Sequence, residues 1–200
     1  MTCCHDQAGF RDITVTTSPS FFDLTWGPRA RVKETKAAIL AMEFAEVERK
    51  LKAAIECFRS NDMDLMDFDN LKLRLPERPI SHRLGFYMQV LFSNYNVDCE
   101  YNKHLEGVKE ADGNPVIPDV VVHKRKVDDS NLLAVEVKAR RNQEEADRDQ
   151  EEIGEDYEQL KKYTRQNGDL KYTYGAFVLF LLDSTTIKWF ENGAPRVESA

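Results

Sequence analysis

Long hydrophobic runs are scarce in this sequence. The longest, residues 176–182, is far shorter than the roughly 20 apolar residues that a membrane-spanning helix needs. The first ten residues, MTCCHDQAGF, lack the basic stretch followed by an apolar stretch that is typical of a secretory leader. We therefore expect no membrane partner and, by default, a cytoplasmic location.

Cysteine is also rare. The chain has four cysteines, and none of them forms a Cys-x-x-Cys pair. A structural zinc site needs paired ligands at close spacing, so the sequence argues against one. Reduced thiols in a reducing compartment are the favoured interpretation.

An excess of positive charge is the third feature that the sequence lacks. The formal net charge is −7, which argues against a passive nucleic-acid coat. Most of the excess acid lies in residues 144–158, and outside that block acids and bases nearly balance. We interpret the block as the solvated first part of a helix, where acids suit the helix dipole. The alternative is a DNA mimic that shields a basic groove.

The hydrophobic pattern indicates an α/β protein. Apolar residues recurring every three or four positions predict a long helix at 34–59, and a second helix is predicted at 80–95 with Ser81 as its cap. Strands are predicted at 97–101, 117–124, 132–138, 174–182 and 187–190, with a helix at 146–166 before the last two. This order predicts a mixed β-sheet with helices on its faces.

The chain should divide into two parts. Residues 1–76 would form an N-terminal arm and the long amphipathic helix, and residues 77–200 would form the core. The apolar stripe of the helix at 34–59 could pair two protomers in a homodimer, although such a stripe more often packs on its own domain.

The strands at 117–124 and 132–138 carry the clearest chemistry. A turn near residues 128–131 would join them as an antiparallel hairpin, placing Asp119 opposite the region of Glu136 and Lys138. Mg²⁺ takes one or two carboxylates plus other oxygens, so Asp119, Glu136 and the backbone carbonyl of Val137 would suit it. Lys138 could orient or deprotonate a water, or stabilise negative charge. The alternative is that Glu-x-Lys merely marks a solvated strand face.

The combination Pro118-Asp119 and Glu136-Val137-Lys138 resembles the PD-(D/E)XK nuclease superfamily, which includes restriction endonucleases and RecB-like exonucleases. The resemblance covers about residues 77–191. It implies a restriction-endonuclease-like core with the order αβββαβ and an N-terminal helical extension. It also implies Mg²⁺- or Mn²⁺-dependent cleavage of DNA.

Two further features resemble the RecB-like branch. Gln159 and Tyr163 match its Gln-x-x-x-Tyr pattern, which would make them part of the catalytic set. His82 is similar to its early metal-binding histidine. The iron–sulfur members of the branch carry cysteines after the nuclease motifs, but here no cysteine follows residue 99, so we expect no iron–sulfur cluster.

Glu77 competes with His82 for the remaining metal position. We favour His82 because Glu77 lies between Pro76 and Pro79, where proline disfavours a helix. A neutral imidazole is a good ligand for Mn²⁺.

Basic residues near the motifs are the candidates for phosphate contacts in DNA, with RNA as the alternative substrate. They are Lys124, Arg140, Arg141, Lys161 and Lys162. The sequence thus favours a metal-dependent deoxyribonuclease. The alternatives are a catalytically silent module with the same fold that binds nucleic acid or a protein, and an interaction protein assembled through the helix at 34–59.

Overall fold

Ten strands and four α-helices make up the computed structural model, which describes residues 42–67, 74–104, 107–108, 110–127 and 130–197. The helices are α1 (Phe44–Asn61), α2 (Glu77–Leu91), α3 (Gln143–Arg148) and α4 (Gln150–Thr164), with a 3₁₀ turn at Met63–Met66. The strands are β1 (Asn96–Cys99), β2 (Lys103–His104), β3 (Gly107–Val108), β4 (Glu110–Ala111), β5 (Asn114–Pro115), β6 (Val120–His123), β7 (Asn131–Ala139), β8 (Tyr174–Phe180), β9 (Thr185–Glu191) and β10 (Ala194–Pro195). In these ranges no helix has the length and apolarity to cross a membrane.

The main sheet has six strands in the order β1-β6-β7-β8-β9-β10. Only β7 and β8 run parallel, because α3 and α4 connect them, and every other neighbouring pair is antiparallel. The remaining strands form two short pairs, β2 with β3 and β4 with β5. The predicted α/β class and mixed sheet are therefore confirmed.

Helices cover the sheet on both faces. Val135 of β7 belongs to the core that α1 and α2 cover, together with Leu51 and Leu84. Ala134, the preceding residue, faces the other way and joins Leu160 of α4 in a second core. Because β7 and β8 are buried on both sides, they appear in the sequence as continuous apolar runs rather than alternating ones.

The start of α2 differs from the prediction. The helix begins at Glu77, with Pro76 before it, and not at Ile80 with Ser81 as a cap. Pro79 is tolerated because the first turn of a helix has backbone N–H groups without partners in the helix, so a missing N–H costs little there. The predicted helix at 146–166 likewise begins earlier and is interrupted at Asp149 between α3 and α4.

Residues Leu40–Ala200 form one unit, and the boundary predicted at residue 76 falls within it. The apolar stripe of α1, including Val47, Leu51 and Phe58, is buried in the core shared with α2. The stripe that we considered for pairing two protomers is therefore used within its own chain. The arm and the start of the predicted helix, residues 1–41, lie outside the described residues.

Helix α2 lies close to strands β1 and β6 at Gly85. A Cβ atom there would meet the sulfur of Cys99 at 2.6 Å and Val120 at 3.6 Å. Gly85→Ala would gain up to about 1 kcal/mol in helix propensity, but overpacking of this kind costs about 1–3 kcal/mol. We expect a net loss of stability in denaturant unfolding, and recovery when Cys99→Ala removes the sulfur in the double variant. If Gly85→Ala lowers the free energy of unfolding equally in the presence and in the absence of the Cys99 sulfur, the steric explanation is wrong.

Candidate active site

Asp119 and Glu136 meet across the hairpin as the sequence predicted. Val120 pairs with Val135, which places the two acids beside each other at the end of β6. The Oδ2 atom of Asp119 accepts a hydrogen bond from the backbone N–H of Val137 at 2.7 Å. A side-chain hydrogen bond also joins Glu136 to Asp119. The hairpin thus fixes two carboxylates on one small patch.

The pKa values of both acids are raised above their usual range, with burial as the largest cause. Burial raises the pKa of Glu136 well above its usual range, and the charges of Asp119 and Asp156 raise it further. Burial also raises the pKa of Asp119, although its hydrogen bond from Val137 opposes the shift. A cation bound beside Asp119 and Glu136 would lower their pKa values again, because positive charge stabilises the ionised form of a carboxylate.

Lys138 lies among three other carboxylates. Its Nζ atom is 3.0 Å from Glu152, 3.3 Å from Asp156 and 3.6 Å from Glu77. Burial alone would lower the pKa of the ammonium, but the three carboxylates outweigh burial and raise it. Lys138 is therefore a fixed positive charge at neutral pH.

Arg140 is buried and makes ion pairs with three carboxylates, two of which also contact Lys138. Its guanidinium contacts Glu77 at 2.5 Å, Asp149 at 2.6 Å and Glu152 at 3.4 Å. Only 5% of its side chain is exposed, so it joins α2 to α3 and α4 beneath the surface. The guanidinium donors of Arg140 are engaged inside the protein, which argues against the predicted contact between Arg140 and nucleic acid.

One face of α4 points at the hairpin. Glu152, Asp156, Gln159 and Tyr163 follow one another at the three- and four-residue spacing that lines up side chains on a helix. The hydroxyl of Tyr163 donates to Glu136 in a side-chain hydrogen bond. The Oε1 atom of Gln159 is buried and has no hydrogen-bond partner within the described part of the chain. The structure therefore brings the predicted Gln159 and Tyr163 to the side of the sheet that carries the two acids.

His82 lies elsewhere. It is exposed and lines a groove of about 430 Å³ with residues that include Asp62, Leu65 and Arg83. The structure places the Glu77 carboxylate, and not His82, beside Lys138 and Arg140, because the helix begins early enough to carry Glu77 to the end of the sheet. The choice of His82 as the metal ligand stays a prediction.

The other basic candidates do not gather at the acids. Lys124 lies next to Ser130 at the start of β7, about 33 Å along the strand from Arg140 and Arg141 at its end. Arg141 pairs with Glu145 at 3.2 Å. On the last turn of α4, Lys161 pairs with Glu158 at 2.5 Å, and Lys162 lies 4.0 Å from Asp112. The five residues therefore do not form one phosphate-binding surface.

The sequence interpretation missed Glu152 and Asp156. Both belong to the acidic block that we assigned to solvent, and that assignment holds for exposed members such as Glu151 and Glu155. Glu152 and Asp156 instead face Lys138. Their spacing before Gln159 and Tyr163 was the available signal, since it places all four on one helical face.

The charge of the cluster suits a divalent cation. Six carboxylates lie within it, against Lys138, Arg140 and the exposed Arg74, so full ionisation leaves three surplus negative charges. The six are Glu77, Asp119, Glu136, Asp149, Glu152 and Asp156. Across the described ranges no three His, Cys, Asp or Glu side chains are arranged as a ready metal site. Mg²⁺ commonly uses only one or two protein carboxylates and completes its shell with water and phosphate oxygens, so the donors fit.

Comparisons with protein-family models, with curated proteins and with solved structures find no match to this chain. The resemblance to PD-(D/E)XK nucleases stays a prediction from the motifs.

Proposed function

We propose that this protein is a metal-dependent nuclease that hydrolyses phosphodiester bonds of DNA on a restriction-endonuclease-like core. The observation that carries the proposal is the pair Asp119 and Glu136, held together with raised pKa values beside the fixed charge of Lys138. The mixed sheet and the Gln159 and Tyr163 side chains on α4 support it.

Asp119, Glu136 and the backbone carbonyl of Val137 would hold the ion, Mg²⁺ or Mn²⁺. The bound ion would activate water and offset the charge of the phosphate. Lys138 stays protonated because its pKa is raised, so it would stabilise negative charge on the phosphate rather than act as the base. Tyr163 donates to Glu136 and so fixes the orientation of that carboxylate.

Lys138→Ala separates catalysis from metal binding. We expect cleavage to fall by about 10²–10³-fold, while Mn²⁺ affinity stays near that of the unchanged protein because lysine is not a ligand. The measurements are cleavage of circular and linear DNA with Mg²⁺, Mn²⁺ or EDTA, and calorimetric titration with Mn²⁺.

Arg78→Ala is the control, since the Arg78 side chain is 82% exposed and pairs with Glu100 on the surface. Full cleavage in EDTA would refute the metal requirement. Normal turnover by Lys138→Ala would show that Lys138 does not take part in catalysis. A parallel assay with RNA decides the type of nucleic acid.

A catalytically silent module is the second candidate. Two observations favour it. Three carboxylates compensate the charge of the protonated Lys138. The five predicted basic residues also do not form one surface, and Lys161, for example, pairs with Glu158. Such a module would bind its partner without cleavage in any metal. Binding of DNA that does not weaken with salt would point to a protein partner, because phosphate contacts release counterions.

A further inference from the structure

The position of the Lys138 side chain is unexpected from its place on β7. Glu136 lies two residues earlier on the same strand face, and Asp119 lies beside Glu136. Yet among the described residues the Nζ atom makes ion pairs within 4 Å only with Glu77, Glu152 and Asp156. A lysine side chain is long and flexible enough to turn to either set of carboxylates.

Asp156 differs from the other two partners. Glu77 and Glu152 are shared with Arg140, so their positions are fixed whether or not Lys138 contacts them. Asp156 makes its ion pair with Lys138 and is not among the partners of Arg140 in the described chain. Its side chain is 17% exposed, so its charge acts on Nζ with little screening by water.

The Asp119 and Glu136 pair would attract Lys138 if nothing opposed the movement. Both are carboxylates without an ion pair to a lysine or arginine within 4 Å in the described residues. An ammonium group drawn between them would neutralise the charge that a divalent cation requires. Asp156 opposes that attraction, because its carboxylate lies 3.3 Å from Nζ while, in the described part of the chain, the two acids of the pair make no ion pair with it.

We propose that Asp156 is a positioning residue that holds the Lys138 ammonium away from Asp119 and Glu136, so that this pair is left open for a cation. The role of Asp156 in cation binding rests on the proposed function. The position of the Lys138 Nζ atom does not, and it can be tested in the metal-free protein.

Asp156→Asn keeps the shape of the side chain and removes its charge. We expect a crystal structure of the metal-free variant to show Nζ within 4 Å of Asp119 or Glu136. We expect calorimetric Mn²⁺ affinity to fall by about 10–100-fold, as for other residues that orient a metal site. In the double variant Asp156→Asn with Lys138→Ala, affinity should return to that of Lys138→Ala alone, since no ammonium remains to enter the pair.

Glu155→Gln is the matched control, because Glu155 is the exposed neighbour on the same helix. If Nζ stays beside Glu77 and Glu152 in Asp156→Asn, the inference is wrong. It is also wrong if the double variant stays weak, because Asp156 would then be a ligand itself. If the unchanged protein binds no Mn²⁺, the proposed function fails, and the position of Nζ alone decides the inference.

Discussion

Replacing Glu136 with glutamine should abolish cleavage and should also make the metal-free protein more stable at pH 8. Catalysis is lost because a neutral amide is a poor ligand for Mg²⁺. Stability rises because Glu136 is buried beside Asp119 and Asp156, and its raised pKa means that folding disfavours the charged form. Gains of about 0.5–2 kcal/mol are typical when such a strained site is relieved.

The sign of the pH dependence follows from the direction of the shift. An acid whose folded pKa is raised binds more protons when folded, so it lowers stability once the pH exceeds its unperturbed value, here 4.5. Asp156, whose pKa burial and the nearby Asp119 and Glu77 raise to about 6 against the attraction of Lys138, behaves in the same way. The gain from Glu136→Gln should therefore be largest at pH 8 and should shrink towards pH 4.

Chemical unfolding in EDTA at several pH values measures the effect. Glu155→Gln removes the same charge from an exposed position and should change stability by less than about 0.5 kcal/mol. Mn²⁺ should stabilise the unchanged protein and not Glu136→Gln, because only the former binds it. A variant that still cleaves DNA, or that is less stable at pH 8, would contradict this account.

Arg140→Met should destabilise the protein by about 3–5 kcal/mol, the cost of leaving a buried charge cluster without its partner. Arg140 contacts Glu77, Asp149 and Glu152, and its removal leaves those carboxylates to repel one another. Methionine keeps most of the apolar volume, so the loss reports the charge rather than a cavity. For a unit of this size the change lowers Tm by about 10 °C.

Arg78→Met is the control for this prediction. Arg78 pairs with Glu100 at 2.7 Å but is 82% exposed, so the loss should be below about 1 kcal/mol. Equal losses in the two variants would show that the Arg140 cluster contributes no more than a surface ion pair.

The hairpin that carries Asp119 and Glu136 could be predicted because its information is local. Side chains alternate along a strand, and a short turn between two β-rich runs sets which residues oppose each other. The observed pairing of Val120 with Val135 follows from the same pattern.

Glu77 could not be assigned from local pattern. Its two flanking prolines disfavour a helix in general, but in the first turn proline has no hydrogen bond to lose. The choice between a helix and a loop at Glu77 was made by contacts distant in the sequence, since the carboxylate pairs with Arg140 and Lys138.

The sequence by itself determined the α/β class, five of the six strands of the main sheet and the hairpin with Asp119, Glu136 and Lys138, because periodicity and turn chemistry act over a few residues. It did not predict β10 or the short pairs β2–β3 and β4–β5. Only the tertiary structure decided which charges are buried. It turned Glu152 and Asp156 towards Lys138 while their neighbours stayed in solvent, and it enclosed Arg140. Spacing places Glu152 and Asp156 on one face of α4, but which face is buried depends on what packs against it from elsewhere in the chain.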